Sequence, residues 1–346
     1  MLRLRASRAG LQVQRLRGPG IKPRGFLRRY YGYKRSRKVG MNMAERLDSI
    51  IIGGGPAGMS AALVLGRARR NVLVIDEERP RNRVTHATHG FLTRDGISPG
   101  EFRRVAREQI AAYPSVRFIR DQAVEIAGSD GDFRLTTLSG ESYRSKKLLF
   151  ASGKKDLPMN IPGLEDVYGR SAFVCPFCDG WELRDKPLAL IVNGPHALHF
   201  AKLVSGWSRH IAICTNGPDE QVDEQREQLA ARGIPLYASP IRQIESSDGI
   251  VTNVLLEDGT SVPCSGIFFA SKLAPGSDLP VALGCINNDQ GVLDVDARGK
   301  TNIPGVFGAG DAATPMNQAI VAASMGSVAA AGIVSELAEE DWTNRI

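Results

Sequence analysis

Ile51-Ile52-Gly53-Gly54-Gly55-Pro56-Ala57-Gly58 is the stretch on which the rest of the chain turns. It follows a short apolar run, Asp48–Ile52. It leads into Ala57–Arg69, whose apolar residues Met59, Leu63 and Val64 suit one face of a helix. Gly53, Gly55 and Gly58 thus give a G-x-G-x-x-G spacing directly between a strand and a helix. The first glycine lets the turn close, the second lets backbone approach a pyrophosphate, and the third lets helix pack on strand. The helix that starts at Pro56 and Ala57 brings the backbone N–H groups that follow Pro56, and partial positive charge, toward that pyrophosphate. A second buried-type strand, Asn71–Ile75, ends in Asp76, placed to accept from a ribose hydroxyl. This order predicts an α/β fold with a dinucleotide-binding unit at its start.

Outward from that unit the pattern repeats. An amphipathic helix is expected at Glu101–Tyr113, followed by short strands at Val116–Ile119, Val124–Ile126, Phe133–Leu138, Ser142–Tyr143 and Lys147–Ala151. Pro158, Pro162 and Gly163 mark a boundary. A second strand–turn–helix–strand unit follows, with strand Leu188–Val192, turn Asn193-Gly194, helix Ala197–Trp207 and strand His210–Cys214. A helix at Gln221–Arg232 and three short strands complete it near Ala270. Lys272–Ser277 reads as a return crossing, and Gly305–Phe307 as a strand before Gly308-Ala309-Gly310-Asp311 and a long helix from about Asn317. The expected fold class is two Rossmann-like three-layer nucleotide-binding domains, the second inserted into the first. The expected division is residues 1–46 as a basic extension, 47–156 with 273–346 as the first domain, and 157–272 as the second.

Cys175-Pro176-Phe177-Cys178 is the second chemical signal. Two cysteines at this spacing can close a small disulfide and reopen it by thiol exchange. Asp179, next in sequence, is positioned to relay a proton to a departing thiolate. A zinc site would need a second ligand pair, and neither another C-x-x-C nor an H-x-x-x-H occurs, so no metal is expected. Cys214, Cys264 and Cys285 sit in apolar stretches, where a buried, unreactive thiol is expected. Five cysteines without regular spacing are no disulfide framework, which favours a cytoplasmic protein.

The formal charge of +7 is unevenly placed. Residues 1–44 hold 13 of the 44 Lys and Arg and no acid, which leaves 31 bases against 37 acids in the remainder. The mildly acidic body gives no reason to expect nucleic acid binding. The basic segment has three readings: an extension upstream of a start at Met41 or Met43, an organelle-targeting peptide, or a basic arm for RNA or anionic membrane. Apolar runs are interrupted before membrane-spanning length; Ser324, Gly326 and Ser327 break the Ala-rich stretch Val321–Ile333, so no membrane partner is expected.

From about Leu47 to its end the chain resembles the low-molecular-weight thioredoxin reductases, and more closely their thioredoxin-reductase-like bacterial relatives. The strings that carry the resemblance are IIGGGPAG, ASGKKDLPMNIPG (151–163), CPFCDGWE (175–182) and GVFGAGDAATPMNQAIVAA (305–323), in the family's order. The resemblance implies FAD across the first domain. Gly310 and Asp311 would contact its ribityl–phosphate region, Gln318 and Ala319 would lie near the flavin ring with Asn82, and the Val124 backbone would face the adenine. It also implies that Cys178 faces the flavin, that Cys175 attacks a partner's disulfide, and that Asp179 is the proton donor. A thioredoxin-like protein, or a small disulfide or dithiol, would be the partner, and a homodimer the assembly.

Two features depart from that family. The second turn, Val192-Asn193-Gly194-Pro195-His196-Ala197, lacks the full glycine pattern, and Thr215-Asn216-Gly217 carries no arginine pair for a 2′-phosphate. NAD(P)H is therefore one expected donor among alternatives. Thr85-His86-Ala87-Thr88-His89-Gly90 places two imidazoles behind the expected flavin site, as acid–base groups or as a structural pair. Similar histidines occur in related flavin dithiol oxidases, which form disulfides in small molecules with oxygen as acceptor. That activity is the alternative to disulfide reduction.

Overall fold

The computed structural model describes residues 46–157 and 159–344. The basic segment through Glu45 lies outside the described residues. The first strand begins at Arg46, one residue inside the stretch assigned to the extension.

The first sheet has seven strands. Five run parallel, in the order Val116–Ile119, Val72–Ile75, Arg46–Ile52, Ser142–Phe150, Val306–Gly308. From Ile50 to Ile52 and throughout Val72–Ile75 every residue is buried, as expected where helices cover both faces of a parallel sheet. Asp132–Thr137 and Ala123–Ser129 extend the sheet as antiparallel strands. There burial alternates, with Phe133, Leu135 and Thr137 inward. The nine-residue strand Ser142–Phe150 serves both parts: Ser145 pairs with Phe133, whereas Leu149 lies between Ile51 and Phe307. Two short strands expected from the sequence are thus one continuous strand.

The helix Pro56–Arg67 packs on the C-terminal helix Ala319–Thr343 through small residues. A Cβ at Gly326 would run into the Ala57 backbone, and Ala322, Ala329 and Ala330 are buried beside it. That 25-residue helix is long and apolar enough to cross a membrane by length and composition. Here one of its faces is part of the core of the first sheet. Gly326, taken from the sequence as an interruption, is where two helix backbones meet.

A second parallel sheet draws only on residues between 171 and 270, in the order Leu236–Tyr237, Ile211–Cys214, Leu188–Ile191, Gly266–Phe269, Ala172–Phe173. A three-stranded antiparallel sheet, Ile241–Ser247, Ile250–Leu256 and Ser261–Pro263, packs beside it. The chain enters and leaves this part through two short antiparallel strands, Lys154–Asp156 and Leu273–Pro275, the latter within the expected return crossing. The helix expected at Gln221–Arg232 is two short helices, Glu220–Asp223 and Arg226–Ala230.

Candidate active site

Both sequence signals open onto one groove of about 1660 Å³. Gly53, Gly55, Pro56, Ala57, Asp76, Asn82, Val124, Gly310, Asp311, Gln318 and Ala319 line it, and so do Cys175, Cys178 and Asp179. Gly58 does not line it. A Cβ there would meet the Gly53 carbonyl oxygen and the Ile51 side chain, so its role is helix-on-strand packing.

The turn is built so that nothing covers it. Gly53 has φ of +102°, a conformation that disfavours side chains, and a Cβ would strike the Ala151 carbonyl. At Gly54 a Cβ would lie 2.7 Å from Asp76 Oδ2. At Gly55, by contrast, an added Cβ meets nothing within 4 Å, because it faces the groove. Gly310, with φ of +70°, lies against Ala57 and closes the same end, while Gln318 is the residue before the long C-terminal helix.

Asp76 is buried and pairs with Arg103, with Arg107 Nη2 at 3.5 Å. Arg103 also donates to the Gly54 carbonyl oxygen at 2.9 Å, tying the turn to the acidic residue. Arg103 escapes sequence reasoning because it arrives from Pro99–Ile110, a helix capped by Ser98, rather than from the β–α–β unit.

A second group that sequence reasoning misses centres on Asp156. Its carboxylate accepts from Arg81, from the Tyr168 hydroxyl at 2.8 Å and from the Ser271 hydroxyl at 3.1 Å. Arg81 also lies 3.9 Å from Asp311. The guanidinium and both hydroxyls hold the Asp156 carboxyl below its ordinary value, against burial, which acts the other way. The cluster joins the first connecting strand, which holds Asp156, to Ser271 just ahead of the second, and all four residues line the groove. Its one sequence-level signal is that Arg81 stands beside Asn82 and Asp156 within a matched string.

The dithiol begins a single helical turn, Pro176–Asp179. Cys175 and Cys178 are free thiols. The Cys175 thiol is drawn down to about 7, first by the hydrogen bond from Cys178 and then, against burial, by the backbone N–H groups of Cys178 and Phe177. Donating that hydrogen bond, and burial, hold the Cys178 proton far more tightly. Burial pushes the Asp179 carboxyl up to about 7, with the negative Cys175 adding to the rise and His89 opposing it. Gly180 follows because a Cβ there would press on the Trp207 ring. Phe177 packs edge-on to Trp207 yet is 59% exposed, and Trp181 is 66% exposed, so an apolar rim borders the thiols.

Of the two histidines, His89 lines the groove and His86 does not. His89 Nδ1 is 3.6 Å from Asp95 and Nε2 is 3.7 Å from Glu182, which belongs to the dithiol segment. Cys214, Cys264 and Cys285 are buried, and burial pushes the first two up to about 12, as inert core thiols.

Comparison with known proteins points one way. Residues 47–326 match the pyridine nucleotide-disulphide oxidoreductase family. The thioredoxin reductase aclD of Aspergillus oryzae is 33% identical over 310 residues, which are 86% of this chain and 98% of that protein. Among solved structures, TrxB from Bacillus anthracis aligns with a TM-score of 0.81 at 36% identity, over 85% of this chain and 99% of that one. The thioredoxin reductase from Streptococcus pyogenes aligns with a TM-score of 0.78 at 25% identity, over 85% and 99%.

Proposed function

We propose that this chain, which belongs to the pyridine nucleotide-disulphide oxidoreductase family, exchanges two electrons between the groove and a partner disulfide through Cys175 and Cys178. It is an FAD-dependent disulfide oxidoreductase resembling thioredoxin reductase, and NAD(P)H is the usual electron donor in that family. The observation that carries the proposal is that the glycine turn and the dithiol line the same groove.

The residues present fit FAD. Gly55 leaves the helix N-terminus uncovered for a pyrophosphate, Asp76 is held by Arg103 within reach of a ribose, and Gly310, Asp311, Gln318 and Ala319 line the same groove. Asn82 and the Val124 backbone complete the wall. FAD, when bound, supplies a two-electron acceptor and donor beside the dithiol.

The chain's own groups account for the thiol chemistry. Cys175, the more acidic thiol, is the nucleophile: its thiolate attacks one sulfur of the partner's disulfide and releases the other as a thiolate. Asp179, poised to be protonated near neutrality, gives that leaving thiolate its proton. Cys178 then displaces the partner from Cys175, closing the Cys175–Cys178 disulfide and freeing the second partner thiol. The exposed faces of Phe177 and Trp181 give a thioredoxin-like partner, or a small disulfide, an apolar seat. A homodimer belongs to the same proposal.

Anaerobic mixing of the flavin-loaded protein with dithiothreitol, followed at the visible flavin band, tests it. Bleaching in the wild type and its loss in Cys175→Ser and Cys178→Ser are expected. Bleaching that survives in both variants would show that the thiols stand outside the electron path.

A further inference from the structure

The second turn lies between the strand Leu188–Ile191 and the helix Ala197–Val204, where a pyridine nucleotide's phosphates would rest if this unit worked as the first one does. Two of its backbone donors are already taken by side chains. The Gly194 N–H donates to Asp219 Oδ2 at 2.7 Å. The Leu198 N–H, in the first turn of the helix, donates to Gln225 Oε1 at 2.8 Å, and the same amide's nitrogen reaches the Pro195 carbonyl oxygen at 3.3 Å. Asp219 is itself fixed, since its other oxygen caps the helix Glu220–Asp223 by accepting from the Val222 N–H at 3.1 Å.

The ribose position is filled as well. Asp76 follows directly on the strand Val72–Ile75; the residue in that place after Ile211–Cys214 is Thr215. The Thr215 hydroxyl donates within the fold, to the carbonyls of Gly217 and Tyr237. Asn216 accepts from the Ile241 N–H at 2.8 Å. A carboxylate at the phosphate position also repels the ligand that a helix N-terminus would otherwise attract. The groove includes Phe200 and Leu203 from the second unit's helix but none of Asn193–Ala197. NAD(P)H, the family's usual donor, does not fit this turn.

We propose that Asp219 and Gln225 fill the second turn from within, so that this unit carries and presents the dithiol without binding a pyridine nucleotide. The donor to the protein is then a dithiol that leaves Cys175–Cys178 as its disulfide, with oxygen, the acceptor of the alternative activity named above, taking the electron pair, an inference that rests on the reading of the groove given above.

The test is calorimetric titration of the flavin-loaded protein with NADPH and with NADH, beside anaerobic mixing with each nucleotide and with dithiothreitol. Neither nucleotide is expected to bind below ~1 mM or to bleach the flavin, whereas dithiothreitol bleaches it. Asp219→Ser with Gln225→Ala keeps a short helix cap but no longer reaches the turn, and nucleotide affinity is expected to rise about tenfold or more. Gln225→Ala alone leaves the Asp219 carboxylate on the Gly194 N–H, and binding is expected to stay absent. Tight nucleotide binding by the wild type overturns the proposal. So does a double variant that retains flavin and gains no affinity, because other groups would then close the site. Failure of dithiothreitol to bleach the flavin, with nucleotide still unbound, would count against the flavin–dithiol reading and leave the filled turn standing.

Discussion

The chain contains the same strand–turn–helix–strand order twice, and the two copies treat their turns in opposite ways. In the first, three residues separate Ile52 from a 12-residue helix, and Gly55 faces open groove. In the second, five residues separate Ile191 from an eight-residue helix, and Asp219 and Gln225 accept from the Gly194 and Leu198 N–H groups. Backbone N–H groups at a helix start need partners from somewhere. Where the chain supplies none, a phosphate can; where the chain supplies a carboxylate, a phosphate has no place. The shared topology is therefore a weak guide to binding, and the hydrogen-bond account of each turn is a strong one.

The contrast breaks most visibly at Gly58. A Val there would drive its branched side chain into the Gly53 carbonyl and Ile51, and the helix would have to leave the strand. Loss of about 3 kcal/mol or more is expected, together with protein purified without flavin, read by thermal unfolding and by the flavin-to-protein absorbance ratio. A Gly58→Val protein that keeps its flavin would mean that the turn is not the cradle.

Next in size is the proton at the dithiol. Asp179→Asn is expected to slow disulfide reduction about 100-fold while leaving flavin content unchanged. The pH profile gives the sign. Cys175 must be deprotonated, so activity rises as pH increases through about 7; Asp179 must be protonated, so activity falls as pH increases through its own value, also about 7. The wild type should show a narrow bell centred near neutrality, its two limbs belonging to the coupled pair. The variant should lose the alkaline fall. An unchanged alkaline limb in Asp179→Asn would assign the proton to another group, with His89 the neighbour to test.

Arg103 sharpens the comparison from the other side, since the second turn is tied by a carboxylate and the first by a cation. Arg103→Ala leaves Asp76 buried without its principal counter-charge and frees the Gly54 carbonyl. Flavin affinity is expected to fall by about 2 kcal/mol, roughly 30-fold, measured by equilibrium release of the cofactor. Arg103→Lys should recover part of this, since one ammonium cannot easily serve both acceptors. An affinity unchanged in Arg103→Ala would remove Asp76 and its partner from the cofactor's site.

What the sequence made legible was local. The glycine turn, Asp76 and the Cys-Pro-Phe-Cys pair are set by spacings of a few residues, and the fold class followed from strand and helix periods. What stayed hidden was long-range. Arg103 reaches Asp76 across 27 positions, Arg81 reaches Asp156 across 75, and Asp219 reaches Gly194 across 25. No short pattern announces such partners, because the tertiary fold brings them together. The expected helix Gln221–Arg232 divides near Gln225, whose side chain turns back to the Gln221 carbonyl and to Leu198. The missing glycines of the second turn were visible; the side chains that took their ligand's place were not.

The smallest effect belongs to the second turn. Gly194 has φ of +75°, and an added Cβ would have only Gln221 Oε1 nearby, at 3.7 Å. Gly194→Ala therefore costs conformational strain and little else, about 1 kcal/mol of stability. Flavin content, bleaching by dithiothreitol and the pH bell should all be unchanged, because nothing in the electron path rests on this turn. The paired result with Gly58 is what matters: one glycine substitution removes the cofactor and the other only lowers the unfolding temperature slightly. If Gly194→Ala slowed flavin bleaching while stability held, the second turn would be part of the working site, and the division between an open and a filled copy would have to be redrawn.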